Sequence, residues 1–580
     1  MESFPTDHGG SAPSVTEDPA LGLSHRAKME ILFAVMLGLF LGALDQTIVG
    51  PALPTIATDL RGNDLYVWSI TIYLLTSTIS VPFWGKLSDL YGRKPIFMIG
   101  IVIFLVGSAL SGLSQNMGML IAFRGLQGIG AGSLFPVALA VIGDLFTPAE
   151  RGKYQGLFGA VFGVAFVVGP LVGGFLTEQI HWNWIFYVNI PIGLIALVVI
   201  YRLLPNIKSA NTTRNFDILG GAIFTVAISF LLVGLTNKQF GDWADPTVGG
   251  FILVGIVGAA LFILAERRAK EPIIPLDLFR NRTYTSSMIS TFFASFAFFG
   301  AIIFLPRWFQ FVHGFSPTNS GLAALPLMVG LIFSSIVSGL IVARTGHYKW
   351  LVVGAIVVMS VATALMTQLS ATTDLVIVWF WMFLAGLGVG PTFSVFTIIV
   401  QNAVPFRQLG VATSNLTFFR QIGGSVALAI VGTIFGSTFL EKLRPEMVTA
   451  GVPAPIVEGF GQATASGQLD FNNLTGVGDL GATILASIPE AVRTAIEPFI
   501  VNIVAGIHQA FSLGVAQTFW IGVVAAVVAA IAAATMIEHP LRAEATASPT
   551  PASGTAASGT AASAAADGSR TLRPTSSATD

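Results

Sequence analysis

The chain contains no cysteine, and only 10% of its 580 residues are charged. The first absence excludes disulfides and thiolate metal sites. The second excludes a water-soluble globule, because 53% of the residues are hydrophobic and mean hydropathy is +0.77. A formal net charge of −1 leaves no basic footprint for nucleic acid. No GxxxxGK[ST] run is present, so no ATP site is expected and an ion gradient is the expected energy source. No His/Asp/Glu cluster has metal-ligand spacing, and no catalytic residue, cofactor or metal is expected, so the chain does not read as an enzyme. The first 28 residues are polar, with no apolar core before a cleavage site, and read as a retained cytoplasmic segment.

What the chain has in abundance is apolar runs. A bilayer core of about 30 Å needs about 20 apolar residues per helix, and runs of that length recur between charged punctuation. Fourteen spans are predicted, at roughly 31–51, 69–85, 96–113, 119–141, 155–177, 184–203, 217–236, 248–266, 285–306, 318–342, 350–369, 374–397, 411–439 and 515–537. Lys and Arg test the count, since they crowd alternate loops if every span is real. Arg26, Lys86, Arg93, Lys94, Arg151, Arg202, Arg267, Arg344, Lys349 and Arg407 fall on one side, and only Arg61, Lys238, Arg307, Lys442, Arg444 and Arg493 on the other. Both termini are then cytoplasmic, in a multi-pass protein of the inner (plasma) membrane. Arg124 and Arg420 lie inside spans.

The expected organisation is a six-helix bundle over 29–204, two linker helices and a cytoplasmic loop over 205–284, and a second six-helix bundle over 285–540. An extracellular loop is expected at 440–512, in which 484–511 reads as an amphipathic surface helix. The Ala/Ser/Thr-rich tail 541–580 reads as disordered. The halves echo each other: Gly85, Asp89 and Gly92 return as Gly339, Ala343 and Gly346, and the run Gly128 to Gly132 as Gly386 to Gly390. Two related repeats with a site between them are the usual plan of alternating-access carriers.

These motifs resemble those of the major facilitator superfamily, in its fourteen-helix drug:proton antiporter branch, over about residues 30–540. Gly85 to Lys94 is similar to the loop between helices 2 and 3; Leu120, Arg124, Gln127, Gly128 and Gly130 to a helix-4 signature associated with proton coupling; and Gly169, Pro170, Gly173 and Gly174 to the helix-5 antiporter motif. Leu44 to Pro54, Trp182 to Pro191, Glu271 to Arg280 and Arg420 to Gly424 complete the pattern, with Gly50-Pro51 and Asn183 departing from it. The resemblance implies an all-α major facilitator fold and proton-coupled export of hydrophobic or amphiphilic drugs from the cytoplasm or inner leaflet. Its partners would be small amphiphiles, protons and the bilayer; the chain shows no accessory export protein. The alternatives are an exporter dedicated to one metabolite, antibiotic or envelope lipid, and a transporter-like sensor that does not transport.

The residues themselves suggest roles. Asp45 lies about 20 Å along the first span at ~1.5 Å per residue, where a carboxylate is expensive and usually functional. It is the expected proton carrier, and a guanidinium from Arg124 beside it would favour the charged form until the two separate. Gly85, Asp89, Gly92, Arg93 and Lys94 read as a gating loop, with Asp89 capping a helix or pairing with Arg93 in one state. Gly169, Pro170, Gly173 and Gly174 permit a bend and close helix contact. Gln127, Arg420, Phe296 and Trp381 are candidates for substrate contact or coupling; the rings either line a greasy cavity or pack toward lipid. Asp217 is the expected cap of the seventh span. A second buried carboxylate is missing, so hydrophobic monocations, zwitterions or neutral amphiphiles are expected over dications.

Overall fold

In hydrocarbon every backbone N–H and C=O must find its partner within the segment, so long apolar runs become helices. The computed structural model describes residues 23–538 apart from 63–64, 206–215, 239–240, 466–479, 488–492 and 494–495; the expected tail 541–580 lies outside the described residues. The long helices are α1 (His25–Asp59), α2 (Tyr66–Tyr91), α3 (Arg93–Gly112), α4 (Met117–Leu145), α5 (Pro148–Gln179), α6 (Trp184–Leu203), α7 (Ile218–Asn237), α8 (Pro246–Glu266), α9 (Arg282–His313), α10 (Thr318–Thr345), α11 (Lys349–Met366), α12 (Leu375–Ala403), α13 (Leu409–Thr449) and α14 (Ile500–Ala534). Thirteen of them are long and apolar enough to cross a membrane. The remaining one, α2, carries Ser69, Thr76, Ser77, Thr78, Ser80, Lys86, Ser88 and Asp89, and it packs against α4 and α13.

Capping side chains set several starts: Asn116 Oδ1 accepts the Met119 N–H at 2.9 Å, Thr147 and Glu150 form a capping box, and Asp217 accepts the Gly220 N–H at 2.9 Å, as expected for α7. The most apolar window of α4 is 83% buried and that of α12 78%, against 17% for α8. The first two are therefore central and α8 is peripheral. It packs on α7, which touches α2 and α13.

The echoed glycines explain the centre. A Cβ at Gly130 would lie 2.3 Å from the Phe104 nitrogen on α3, and one at Gly388 would lie 2.5 Å from the Met359 nitrogen on α11. Gly128 and Gly386 press in the same way on Tyr73 of α2 and Leu327 of α10. Both repeats thus bury their central helix by backbone-to-backbone approach that only glycine permits.

The end of the second half away from the basic loops differs from expectation. α13 continues to Thr449 and α14 begins at Ile500. Ile503, Ile507 and Ala510 are buried with Leu443, Met447, Phe460 and Ile484. The described residues of 484–511 therefore do not form a separate surface helix: 500–511 are the first turns of α14, and Ile484, Ile503 and Ile507 join a small apolar cap over α9, α12 and α13. Arg493 Nε donates to the Leu485 carbonyl at 3.0 Å within that cap.

Candidate functional site

Asp45 is fully buried on α1. Its Oδ2 accepts Arg124 Nη1 of α4 at 2.7 Å, and its Oδ1 accepts Gln127 Nε2 at 2.8 Å and Asn189 Nδ2 of α6 at 3.0 Å. Arg124 also donates to Gln127 Oε1 at 2.9 Å and stacks 4.1 Å from the Tyr73 ring centroid. Asn189 Nδ2 reaches Ser108 Oγ of α3 at 3.0 Å, and Ser108 donates to the Phe186 carbonyl at 2.8 Å. Three helices, α1, α4 and α6, thus meet at one carboxylate with no exposed surface, and α3 steadies Asn189 through Ser108. Arg124 and Gln127 share a face because three residues make almost one helical turn. Charge-assisted bonds of this length are the strong class.

A second constellation lies at the end of the bundle that carries the basic loops. Asp89 accepts the backbone N–H groups of Gly410 at 3.0 Å and Val411 at 2.8 Å, so a side chain of the first half caps the N-terminus of α13 in the second. Arg93 pairs with Asp89 and with Asp144 of α4, the latter at 2.8 Å, and Gly92, at φ 100°, turns the chain between α2 and α3. Lys94 lies 5.3 Å from the Tyr201 ring, and Lys86 Nζ donates to Glu271 Oε2 at 2.7 Å, tying α2 to the loop after α8. A Cβ at Gly85 would lie 2.8 Å from the Gly410 carbonyl oxygen, and one at Gly339 would lie 2.0 Å from that of Gly152. The echo Gly85/Gly339 is therefore a pair of seams between the halves, α2 on α13 and α5 on α10. Gln401 of α12 fills the space between them, accepting from Gln155 at 2.9 Å and donating to the Leu139 carbonyl at 3.1 Å.

The antiporter-like motif packs α5 on α1: a Cβ at Gly173 would lie 2.3 Å from the Ile48 carbonyl oxygen, and one at Gly169 would meet Thr47. Pro170 and Gly174 face Gly321 and Thr318 of α10. Arg420 of α13 donates to the Thr392 carbonyl at 3.1 Å and stacks 4.1 Å from the Phe393 ring. Phe296 and Trp381, expected at a cavity or toward lipid, are both buried among apolar side chains. Phe296 is 6% exposed in a core with Ala427 and Ala525, Trp381 is 8% exposed in the core below the cap, and neither joins Arg420. Sequence reasoning missed Asn189, Ser108, Asp144, Gln155 and Gln401. Polar residues inside predicted spans were the available signal for Asn189, Ser108 and Gln155, whereas Asp144 and Gln401 lie just beyond the predicted span ends.

A family model described as Major Facilitator Superfamily matches residues 35–428. The multidrug transporter protein MdtP of Bacillus subtilis is 36% identical over 83% of this chain and 90% of its own length. Multidrug resistance protein 3 of the same organism is 34% identical over 71% of this chain and 81% of its own. Among solved structures, a bacterial homolog of the human lysosomal transporter Spinster superposes with a TM-score of 0.51 at 16% identity, covering 89% of this chain and 98% of that one. The proton:xylose symporter XylE superposes with a TM-score of 0.53 at 13% identity, covering 87% and 95%. These two likenesses concern the fold alone. With the paired repeats and the central α4 and α12 in place, the chain belongs to the Major Facilitator Superfamily, as a multi-pass membrane transporter whose relatives include multidrug carriers.

Proposed function

We propose that this protein exports hydrophobic or amphiphilic small molecules across the plasma membrane in exchange for protons, by alternating access. The observation that carries the reading is Asp45, a carboxylate with no exposure inside the bundle, held by Arg124, Gln127 and Asn189 from two further helices. Such a group is the natural proton carrier in a membrane protein. Protonating it neutralises the partner of Arg124 and frees a guanidinium to reorganise, which couples proton uptake to helix movement. The seams at Gly85 and Gly339 and the Asp89 cap on α13 act as the gate, closed in this conformation on the side of the basic loops. That side is the cytoplasm by the distribution of Lys and Arg, with both termini facing it. The names of the Bacillus relatives support drugs as the cargo.

The test is reconstitution in liposomes loaded with a pH-sensitive dye, a lipophilic drug added to one side, and comparison with Asp45→Asn. Substrate-dependent proton movement that vanishes in the variant supports the reading. Proton movement unchanged by the substitution places the carrier elsewhere.

A further inference from the structure

The two repeats can be superimposed through their seam glycines, Gly152 on Gly410. In that register Phe135 of α4 corresponds to Phe393 of α12, and Phe162 of α5 corresponds to Arg420 of α13. The contacts respect the correspondence. Phe135 and Phe162 stack with centroids 4.9 Å apart and planes at 24°, while the Arg420 guanidinium lies 4.1 Å from the Phe393 centroid. One repeat holds two stacked rings where the other holds a ring and a flat cation. The two stacks meet across the midline, Phe162 against Phe393 at 5.7 Å in an edge contact, with Phe298 of α9 on the other side of Phe393 at 5.6 Å.

Phe135, Phe162, Phe298 and Phe393 are each partly exposed. From Gly130 to Phe146 every residue of the central α4 segment is buried except Phe135, and from Gly388 to Gln401 every residue of α12 is buried except Phe393. Both sit on the two most enclosed helices, so their partial exposure opens between the halves and not to lipid.

The charges there do not balance. Asp45 is matched by Arg124. Arg420 forms no ion pair with a carboxylate among the described residues; its bonds are to a carbonyl oxygen and a ring face. A guanidinium has five donors in a planar fork suited to carboxylate or sulfonate, and only the Thr392 carbonyl occupies one of them. The sequence expectation of monocations, zwitterions or neutral amphiphiles rested on the lack of a second carboxylate and left the unpaired cation at Arg420 out of account.

We propose that Arg420, with Phe135, Phe162, Phe393 and Phe298, forms a binding site for flat aromatic amphiphiles that carry one negative charge: the rings stack the aromatic body and Arg420 takes the acid. The assignment rests on the exporter reading for its place in a transport cycle, but the binding preference is a separate property.

The experiment uses the full chain in lipid nanodiscs and three probes with one aromatic body: pyrene-1-butanoate, its neutral amide, and pyrene-1-butylamine, each corrected for binding to protein-free discs. The wild type is expected to bind the acid about tenfold more tightly than the amide, the size of one charge-assisted hydrogen bond, and more tightly than the amine. Arg420→Gln removes the preference and leaves amide affinity unchanged, Arg420→Lys keeps part of it, and Phe135→Ala weakens all three probes alike. An unchanged acid-to-amide ratio in Arg420→Gln, a wild-type preference for the amine, no specific binding of any probe, or full affinity in Phe135→Ala would overturn the site. Transport in proteoliposomes separates the two readings. Loss of the ratio in a variant that still pumps the amide against a proton gradient confirms the site and the exporter together. The same loss with no pumping of any probe by wild type keeps the site and removes the exporter. Pumping with the ratio intact in Arg420→Gln removes the site alone.

Discussion

Asp89 Oδ2 accepts the Val411 backbone N–H at 2.8 Å, joining α2 of the first half to the first turn of α13 in the second. The carboxylate also takes Gly410 N–H and Arg93, so one side chain links both halves and the turn at Gly92. Replacing it with Asn removes the charge that favours the helix N-terminus and one acceptor oxygen.

Asp89→Asn is therefore expected to weaken closure by about 1.5 kcal/mol, or roughly tenfold in the ratio of open to closed bundles. The chain has no native cysteine to remove. Spin labels on cysteines at the exposed Tyr91 and Phe406 would read the distance across this seam. A distribution unchanged by the substitution would show that the cap does not hold the seam.

The partner seam responds to bulk. A Cβ at Gly339 meets the Gly152 carbonyl oxygen, which is backbone and cannot swing away. Gly339→Ala should shift the same equilibrium toward the open form by about 1–3 kcal/mol, the usual cost of overpacking. Gly432→Ala and Gly436→Ala, where nothing lies within 4 Å, are the controls and should be neutral or stabilising by about 0.4–1 kcal/mol. Labels at the exposed Lys153 and Arg344 would report the opening.

Removing one member of the buried pair costs more than removing both. Arg124→Met strands the Asp45 charge and should cost about 3–5 kcal/mol, whereas in Asp45→Asn with Arg124→Met the amide still accepts from Gln127 and Asn189 and no charge is left alone. Thermal unfolding in detergent should place the double variant well above the single one. Equal instability of the two would mean that Asp45 and Arg124 are not coupled.

A pH dependence is expected just beyond the end of α14. Partial burial pushes Glu538 up, but the N–H groups of Tyr348, at 2.6 Å, and Lys349, together with His347, outweigh it and hold the carboxyl below its ordinary value. The sign follows from linkage: this tether contributes above the carboxyl's unfolded pKa and is lost as pH falls through the lower folded one. Amide exchange at Tyr348 and Lys349, corrected for its intrinsic pH dependence, should quicken only below the usual carboxylate range, and in Glu538→Gln it should be quick at neutral pH as well.

The number of long helices and the Asp45–Arg124 pair were legible because charge inside an apolar run is costly and so stands out, whereas the ends of α13 and α14 were not. Asn189 was not, since a neutral amide in such a run has no separate signature until its distance from Asp45 is known. The partner of Asp89 was hidden for a different reason: Gly410 and Val411 respond through backbone N–H groups, which no side chain marks. The segment 484–511 misled because an amphipathic helix reads the same whether its apolar face meets lipid or the cap residues Leu443 and Met447. Phe296 and Trp381 show that ring content alone does not separate core from cavity.

The cap built by α13 beyond the bundle, α14 and the short helices Ala454–Ala465 and Leu480–Ser487 between them belongs to the second half alone. An antibody fragment that grips it would hold one repeat while leaving the other free to move. Such a reagent would serve as an asymmetric landmark for imaging a small, nearly twofold particle, and its orientation against the first half would give a direct reading of how far the two repeats rock.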